Sequence, residues 1–376
     1  MAAPEIAIFL GAGASCSEGA PTQGNLFRDF FGESFDGYQG IARGHPSLTA
    51  IKTMKNRLVR FFEVFFGFNP EESYATAHFP TFEEALGIVD LALIRDDGFR
   101  GFEGNLSSQQ LGATLRNVRS DFVFLIALIL DKKLEQSIGR HALLVRKLSQ
   151  DGALNRCAFV SFNYDILIDN ALGAQYEDYF LDYGIEYANF NGQEEFPRPR
   201  PHPVSLLKLH GSLNWLYCST CSSVAITPRN KGVCNLVVSP ADCRCGRCNS
   251  LTVPIIIPPT YFKVLSNVFL QEVWHRAEKT LSSCRTWVFC GYSFPDADMH
   301  VKYLLKRVQV NSPGQRKIMV VNWHEDKEPH AAAEEQQRYR RFFGDTAQLK
   351  YEKLSFEQFA ADPNQMLNAV SSSSLE

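Results

Sequence analysis

Apolar residues along the chain gather in short runs, and each run ends on glycine or a small polar residue. Ile6-Ala7-Ile8-Phe9-Leu10 leads into Gly11-Ala12-Gly13-Ala14-Ser15, and Cys157-Ala158-Phe159-Val160-Ser161-Phe162 into Asn163-Tyr164-Asp165. Val204 to Leu209 leads into His210-Gly211-Ser212, Thr286 to Cys290 into Gly291-Tyr292-Ser293, and Lys317 to Val321 into Asn322. Continuous apolar runs of this length, closed by turn residues, predict strands buried on both faces, as in a parallel sheet covered by helices. In such sheets ligands bind beyond the carboxyl ends of the strands. Asn163, Asp165, His210, Ser293 and Asn322 are therefore expected to meet where the Gly11 turn sits. The competing reading is ordinary turn chemistry, because Asn, Asp, Ser and Gly are the usual loop residues.

Between the first two strands the period changes. A helix is expected over Gly24 to Phe31, then a loop from Gly32 to Ser47 broken by Gly37, Gly40, Gly44 and Pro46. Ile51, Met54, Leu58, Phe61, Phe62 and Phe65 fall at helical spacing, with Lys52, Lys55, Arg57 and Arg60 largely on the other side. Thr81 and Glu84 predict a capping box. Leu111, Leu115, Val118, Phe122, Leu125 and Ile129 predict a longer helix, and His141 to Gln150 a shorter one that ends before Gly152. Residues 32–152 thus read as a helical insertion or subdomain beside the nucleotide site. Tyr176 to Pro203, ending Pro197-Arg198-Pro199-Arg200-Pro201-His202-Pro203, reads as an extended connection. Further helices are expected over Leu265 to Leu281 and Met299 to Val310. Charged helix and a short apolar strand are expected after Glu325, and a flexible tail from Ser371 to Ser374.

The first turn carries the first chemical signal. A buried strand that stops at Gly-Ala-Gly lets backbone approach a bulky anion, which is how a pyrophosphate is cradled. The third glycine comes late, at Gly19, so G-x-G-x-x-G is only partly met. The 376 residues suffice for one large α/β domain with insertions or for two domains. A net charge of −3 gives no general attraction to nucleic acid, and no direct nucleic-acid binding is expected. The longest apolar stretch, Phe122 to Leu130, is far shorter than the ~20 residues that span a bilayer. No basic segment precedes an apolar one at the start, so a cytoplasmic protein without a membrane partner is expected.

Ten cysteines in such a chain point to metal or buried thiols rather than disulfides. Cys218-x-x-Cys221 and Cys245-x-x-Cys248 form two knuckles whose four thiolates can close a tetrahedral structural zinc site. Cys243 and Cys234 lie nearby, and Cys243 is the alternative to Cys245 as a ligand. Cys16, Cys157, Cys284 and Cys290 sit in or beside apolar runs and read as packed residues, Cys16 partly exposed.

Taken in order, Gly11-Ala12-Gly13-Ala14-Ser15, Ser161-Phe162-Asn163-Tyr164-Asp165, Leu209-His210-Gly211-Ser212, the paired Cys-x-x-Cys and Gly291-Tyr292-Ser293 resemble the motif set of sirtuins. Leu207 to Trp215, Ile257-Pro258-Pro259-Thr260 and Gly291 to Asp296 resemble more specifically the sirtuin-like effectors of bacterial anti-phage defence. The resemblance covers about residues 4–30 and 155–325. It implies an α/β fold with a Rossmann-like, sirtuin-type parallel sheet, a small zinc module and a helical insertion. The implied division is 1–31 with 153–325 as the NAD-binding domain, 32–152 as the insertion, 214–252 as a zinc-binding module within that domain, and 326–376 as a C-terminal extension and tail. It also implies an NAD⁺ site with Asn163 and His210 as the catalytic pair. Gly11, Ala12, Gly13, Ser15, Gly19, Pro21, Thr22, Gly291, Ser293 and Asn322 are the expected NAD⁺-contacting positions.

Two departures bear on the reaction. Sirtuin deacylases usually carry Pro-Asp-Phe-Arg where this chain has Pro21-Thr22-Gln23-Gly24, and a Phe-Gly-Glu segment after the zinc module where Ile255 to Pro259 stands here. Both favour NAD⁺ hydrolysis over deacylation. Breaking the nicotinamide–ribose bond passes through an oxocarbenium-like state, which needs an oriented water and nearby negative charge. Asn163 is expected to orient the water, Asp165 to contact the nicotinamide ribose or amide and favour the cation, and His210 to accept a proton. The rival readings are a protein deacylase or ADP-ribosyltransferase, and a sensor that binds NAD⁺ or ADP-ribose without turnover. The helical block is large enough to offer an oligomer or partner surface, so a homo-oligomer is expected, and the resemblance further implies a partner such as a HerA-type ATPase or a short Argonaute.

Overall fold

The computed structural model describes residues 3–35, 48–99, 102, 108–176, 181–189, 204–227, 231–238, 243–257, 267–296, 298–312, 314–323, 329–344, 347–364 and 367. The expected loop from Gly37 to Pro46, the Pro197–Pro203 stretch, residues 258–260 of the Ile257–Thr260 motif and the Ser371–Ser374 tail lie outside the described residues. The strands are β1 (Ile6–Leu10), β2 (Cys157–Ser161), β3 (Ala188–Asn189), β4 (Leu206–Lys208), β5 (Gly211–Cys218), β6 (Ser223–Ile226), β7 (Val253–Ile256), β8 (Thr286–Cys290), β9 (Lys317–Val321) and β10 (Gln348–Glu352). The chain divides into two compact units.

The first unit comprises Met1–Ala20, Gln136–Ser212 and Leu265–Glu376. Its sheet has the order β10-β9-β8-β1-β2-β4, with every pair parallel. Counted along the chain, its six strands run 6-5-4-1-2-3, the doubly wound order whose direction of winding reverses at the first strand. β1, β2 and β8 are buried throughout, which explains their unbroken apolar sequence. Register places Leu10 opposite both Ser161 and Cys290, so the three strands end level. Gly11, Phe162 and Gly291 are the first residues past that edge. Helix Arg140–Gln150 packs against Leu167–Tyr176 and Phe356–Ala361, and Val268–Ser283 against Met299–Asn311.

The second unit comprises Pro21–Glu135 and Leu213–Val264. Helices Leu26–Gly32, Leu48–Phe66, Phe82–Arg95 and Ser108–Lys133 enclose a phenylalanine core. In it the Phe27 ring lies 4.9 Å from Phe62, 5.3 Å from Phe82 and 5.7 Å from Phe122. The Thr81–Glu84 capping box forms, with the Glu84 amide donating to Thr81 Oγ1 at 3.1 Å and the Thr81 amide to Glu84 Oε2 at 2.7 Å. β5 and β6 pair as an antiparallel hairpin, with β7 on the other side of β5. Helix Gly232–Val238 joins this segment to the helical block: Cys234 Sγ donates to Ala127 O at 3.4 Å, and Lys231 pairs with Asp131 at 3.0 Å. The cysteine-bearing stretch therefore groups with residues 21–135. Helix Arg140–Gln150, included in the sequence-derived insertion, groups with the sheet instead. Among the described residues no helix is long and apolar enough to cross a membrane.

Candidate functional site

At the winding reversal two loops touch backbone to backbone. The amide of Gly11 donates to Cys290 O at 2.9 Å and that of Gly13 to Gly291 O at 2.8 Å. A Cβ on Gly11 would lie 2.6 Å from Gly291 O, and one on Gly291, whose φ is +64°, only 2.2 Å from the Ala14 nitrogen. Glycine is required here for close approach of two chain segments. The Gly11 and Gly13 amides are therefore used inside the protein. Ala12, Gly13 and Gly19 are exposed, with Gly19 at φ +103°.

Behind this turn three buried side chains form a relay. Asn163 Nδ2 donates to Gly11 O and to Ser15 Oγ, each at 2.8 Å, and Ser15 Oγ donates to Asp165 Oδ2 at 2.6 Å. Asp165 Oδ1 accepts from the Leu167 amide at 3.1 Å. Both carboxylate oxygens thus accept hydrogen bonds from the protein, and Asp165 is 4% exposed. With both Asn163 amide hydrogens committed, Oδ1 is the side chain's remaining polar atom.

His210 follows β4 and is buried beside this group. Its Nδ1 donates to Phe162 O at 3.1 Å, which leaves Nε2 as the basic nitrogen of the neutral ring. Nε2 lies 4.0 Å from Asp298 Oδ1, and Tyr292 Oη donates to Asp298 Oδ2 at 2.8 Å. Trp274 Nε1 donates to Leu209 O at 2.8 Å and steadies the strand end. Lys208, fully buried, donates to the backbone carbonyl of Asp165 and pairs with Asp169 Oδ2 at 3.0 Å; Asp169 in turn accepts from Tyr183 Oη at 2.5 Å. The Asn163–Asp165 turn and the His210 strand end are therefore fastened to one another.

Loop 291–298 is fixed from its outer side. Phe294 is buried at φ +54°, a costly conformation for a bulky residue, and is held against Tyr339, Phe342 and Phe343 with ring distances of 4.7, 4.9 and 5.8 Å. Asn322 braces the same loop: its Nδ2 donates to Tyr292 O at 3.0 Å and to Glu335 Oε1. Ser293 is exposed, and its carbonyl accepts from Arg338 at 3.1 Å. Pro21 and Thr22 open the second unit, half-buried and exposed respectively.

Glu18, just after the glycine turn, is buried and accepts from the Gly139 amide at 2.7 Å, the His141 amide at 2.8 Å and His141 Nδ1 at 3.0 Å. It caps helix Arg140–Gln150, which has no side-chain cap of its own. Burial alone raises this carboxyl, but the His141 and Gly139 hydrogen bonds outweigh it and hold the pKa at about 2.

In the second unit the sulfurs of Cys218, Cys221, Cys245 and Cys248 all lie within 4.8 Å of one another. Cys218 and Cys248 are 3.4 Å apart, and Cys221 and Cys245 3.5 Å. Tetrahedral zinc with Zn–S bonds of ~2.3 Å places its sulfurs ~3.8 Å apart, so the four thiols fit that ion. Burial raises Cys245, but the amides of Cys248 and Arg247 outweigh it and bring its pKa to about 6, favouring the ligating thiolate. Cys243 stands outside the cluster, its carbonyl accepting from Thr252 Oγ1 at 2.7 Å.

Asp298, Lys208 and Glu18 were not among the sequence candidates. A lysine inside an apolar strand end was the one visible signal; what marks the other two, His210 beside Asp298 and His141 beside Glu18, is distant in sequence.

Residues 158–342 match the family model described as the SIR2-like domain. Three solved structures align over nearly the whole chain. One is a Sir2 in complex with the inhibitor EX-527, 2′-O-acetyl-ADP-ribose and a deacetylated p53 peptide, at 17% identity, covering 97% of this chain and 94% of that one, with a TM-score of 0.38. Another comes from work on the mechanism and regulation of Sir2 enzymes, at 14% identity, 98% and 93% coverage and a TM-score of 0.41. The third is a serine-to-alanine mutant of a Sir2 homologue with ADP-ribose, at 14% identity, 100% and 95% coverage and a TM-score of 0.38. Comparison with curated proteins gives no match.

Proposed function

We propose that the chain is an NAD⁺ glycohydrolase that releases nicotinamide and ADP-ribose. The observation that supports this most is the meeting of the Asn163–Ser15–Asp165 relay and His210 at the glycine turn where the sheet reverses its winding. The match of residues 158–342 to the SIR2-like domain points to the same substrate.

The division of labour follows from the hydrogen bonds. Asn163, fixed by two donated bonds, presents Oδ1 to orient the attacking water or the ribose. His210 Nε2 accepts the proton that the water or a ribose hydroxyl gives up, and Asp298 at 4.0 Å stabilises the resulting imidazolium. Asp165 keeps Ser15, and through it Asn163, in one orientation. Neutral Asn163 supplies alignment, while the buried carboxylates behind it favour the cationic transition state. The four cysteines would hold a structural zinc whose closed set of sulfur ligands leaves no position open for chemistry.

The Ile255–Pro259 segment favours hydrolysis over transfer to an acyl-lysine. On the motif resemblance, the same reading makes the chain a self-assembling defence effector that depletes NAD⁺, with a HerA-type ATPase or a short Argonaute as partner. The test is NAD⁺ loss by the purified protein, with candidate partner, against Asn163→Ala and His210→Ala. Each variant should lose ~10²–10⁴-fold. Equal loss by all three proteins overturns the assignment, and nucleotide binding without product selects the sensor reading.

A further inference from the structure

At the end of the sheet opposite the glycine turn, the first unit contains a second cavity, of about 810 Å³. It opens by the amino ends of β8 and β9, where Trp287 and Ile318 are each the second residue of their strand, and by the last turns of helices Met299–Asn311 and Pro329–Phe343. Three cations line it, Lys306, Arg316 and Arg341, and no carboxylate does among the described residues.

Their setting is unusual for protein cations. Arg316 is 7% exposed, and its guanidinium lies 5.1 Å over the Trp287 ring. Its Nη1 donates to Ser312 O at 3.2 Å, while its Nε and the Trp287 Nε1, both buried, have no hydrogen-bond partner among the described residues. Lys306 Nζ donates to Phe342 O at 2.5 Å and Gln309 Oε1 at 2.8 Å and stands 4.4 Å over the Phe342 ring. Neither side chain forms an ion pair among the described residues. Arg341 is exposed and only loosely paired, 3.6 Å from Asp296. Buried charge is normally paired, and arginine cannot shed its proton to escape the cost. The carbonyls at the end of helix Pro329–Phe343 are already covered, since Gln309 Nε2 donates to Phe343 O at 3.0 Å as Lys306 does to Phe342 O. Among the described residues, the Arg316 and Lys306 charges facing the cavity thus have no carboxylate counterpart.

We propose that this cavity binds a phosphate ester of nucleotide size, distinct from the NAD⁺ substrate of the glycine-turn site. Two guanidinium groups and an ammonium match the charge and geometry of phosphate. The volume far exceeds that of a bare phosphate and lies in the range of pockets for small organic ligands. Val310, exposed at the rim, and Phe342 offer apolar surface to the organic body. The inference rests on the amino end of the sheet alone and stands apart from the hydrolase reading.

The probe is ATP, titrated calorimetrically into the full chain at low salt. The arms are wild type, Asn163→Ala, Arg341→Glu and Lys306→Gln with Arg341→Gln. Wild type and Asn163→Ala should bind alike, while Arg341→Glu and the double variant bind at least tenfold more weakly. Arg341 is exposed, so its variant should fold, and an unchanged circular dichroism spectrum would attest it. No binding to wild type, or equal binding to wild type and Arg341→Glu, overturns the proposal.

Discussion

At the carboxyl ends of β1, β2 and β4, side chains are tied to backbone and to each other, which holds the Asn163 amide and the His210 imidazole each in one orientation. In the cysteine cluster four sulfurs face a common centre. Asn163 donates both amide hydrogens, and His210 donates from Nδ1, to acceptors within the protein. The sulfurs of Cys218, Cys221, Cys245 and Cys248 lie close enough together to share one metal ion. On the proposed reading, the difference separates a site that acts on a substrate from one that maintains a fold. Losing a residue from the first should cost rate, and from the second structure.

The comparison breaks most visibly at the cysteines. Cys221→Ser with Cys245→Ser, or a strong chelator, should take metal content from about one zinc per chain to none. Because such ions supply folding energy on the order of 10 kcal/mol, the second unit should lose protection in hydrogen exchange. Zinc retained by the double variant would contradict the assignment. Next comes the phenylalanine core: Phe62→Ala should cost ~3–5 kcal/mol in denaturant unfolding, against a negligible change for the exposed Ile94→Ala.

In the first unit, acid probes Glu18. Its pKa is lower folded than unfolded, so its contribution is full above about pH 4.5 and is lost as pH falls toward about 2. Discounted for screening, the loss is on the order of 2 kcal/mol. Glu18→Gln should unfold with less dependence on pH in that window, and an identical acid profile would show that the cap does not matter. The smallest effect sharpens the site. Asp298→Asn keeps a partner for Tyr292 but removes the charge near His210, and should lower turnover ~10-fold with the melting temperature unchanged. Turnover equal to wild type would separate Asp298 from His210.

Much of this was readable in advance because it is local. β1, β2, β8 and β9 announce themselves as apolar runs, and the Thr81–Glu84 cap and the two Cys-x-x-Cys knuckles are contained in a few residues each. What depends on distant pairing was hidden. Glu18 meets His141 across 123 residues, and Lys208 meets Asp169 across 39, so neither announces its partner. The β5–β6 hairpin was masked by its motif residues, since His210-Gly211-Ser212 and Cys218 read as chemistry before they read as strand. β10, Gln-Leu-Lys-Tyr-Glu at the sheet edge, is half charged because only part of it is covered. Asp165 was legible as a site residue, but its inward-facing role was not, because that depends on Ser15 lying 2.6 Å away in the fold.

The most direct test of the central claim is to follow NAD⁺ with purified protein, its activating partner if one is needed, and no acyl-lysine or protein acceptor. Nicotinamide and ADP-ribose should appear in equal amounts with wild type and not with Asn163→Ala or His210→Ala. Nicotinamide release that appears only when an acceptor is added, or that survives both substitutions, would contradict it.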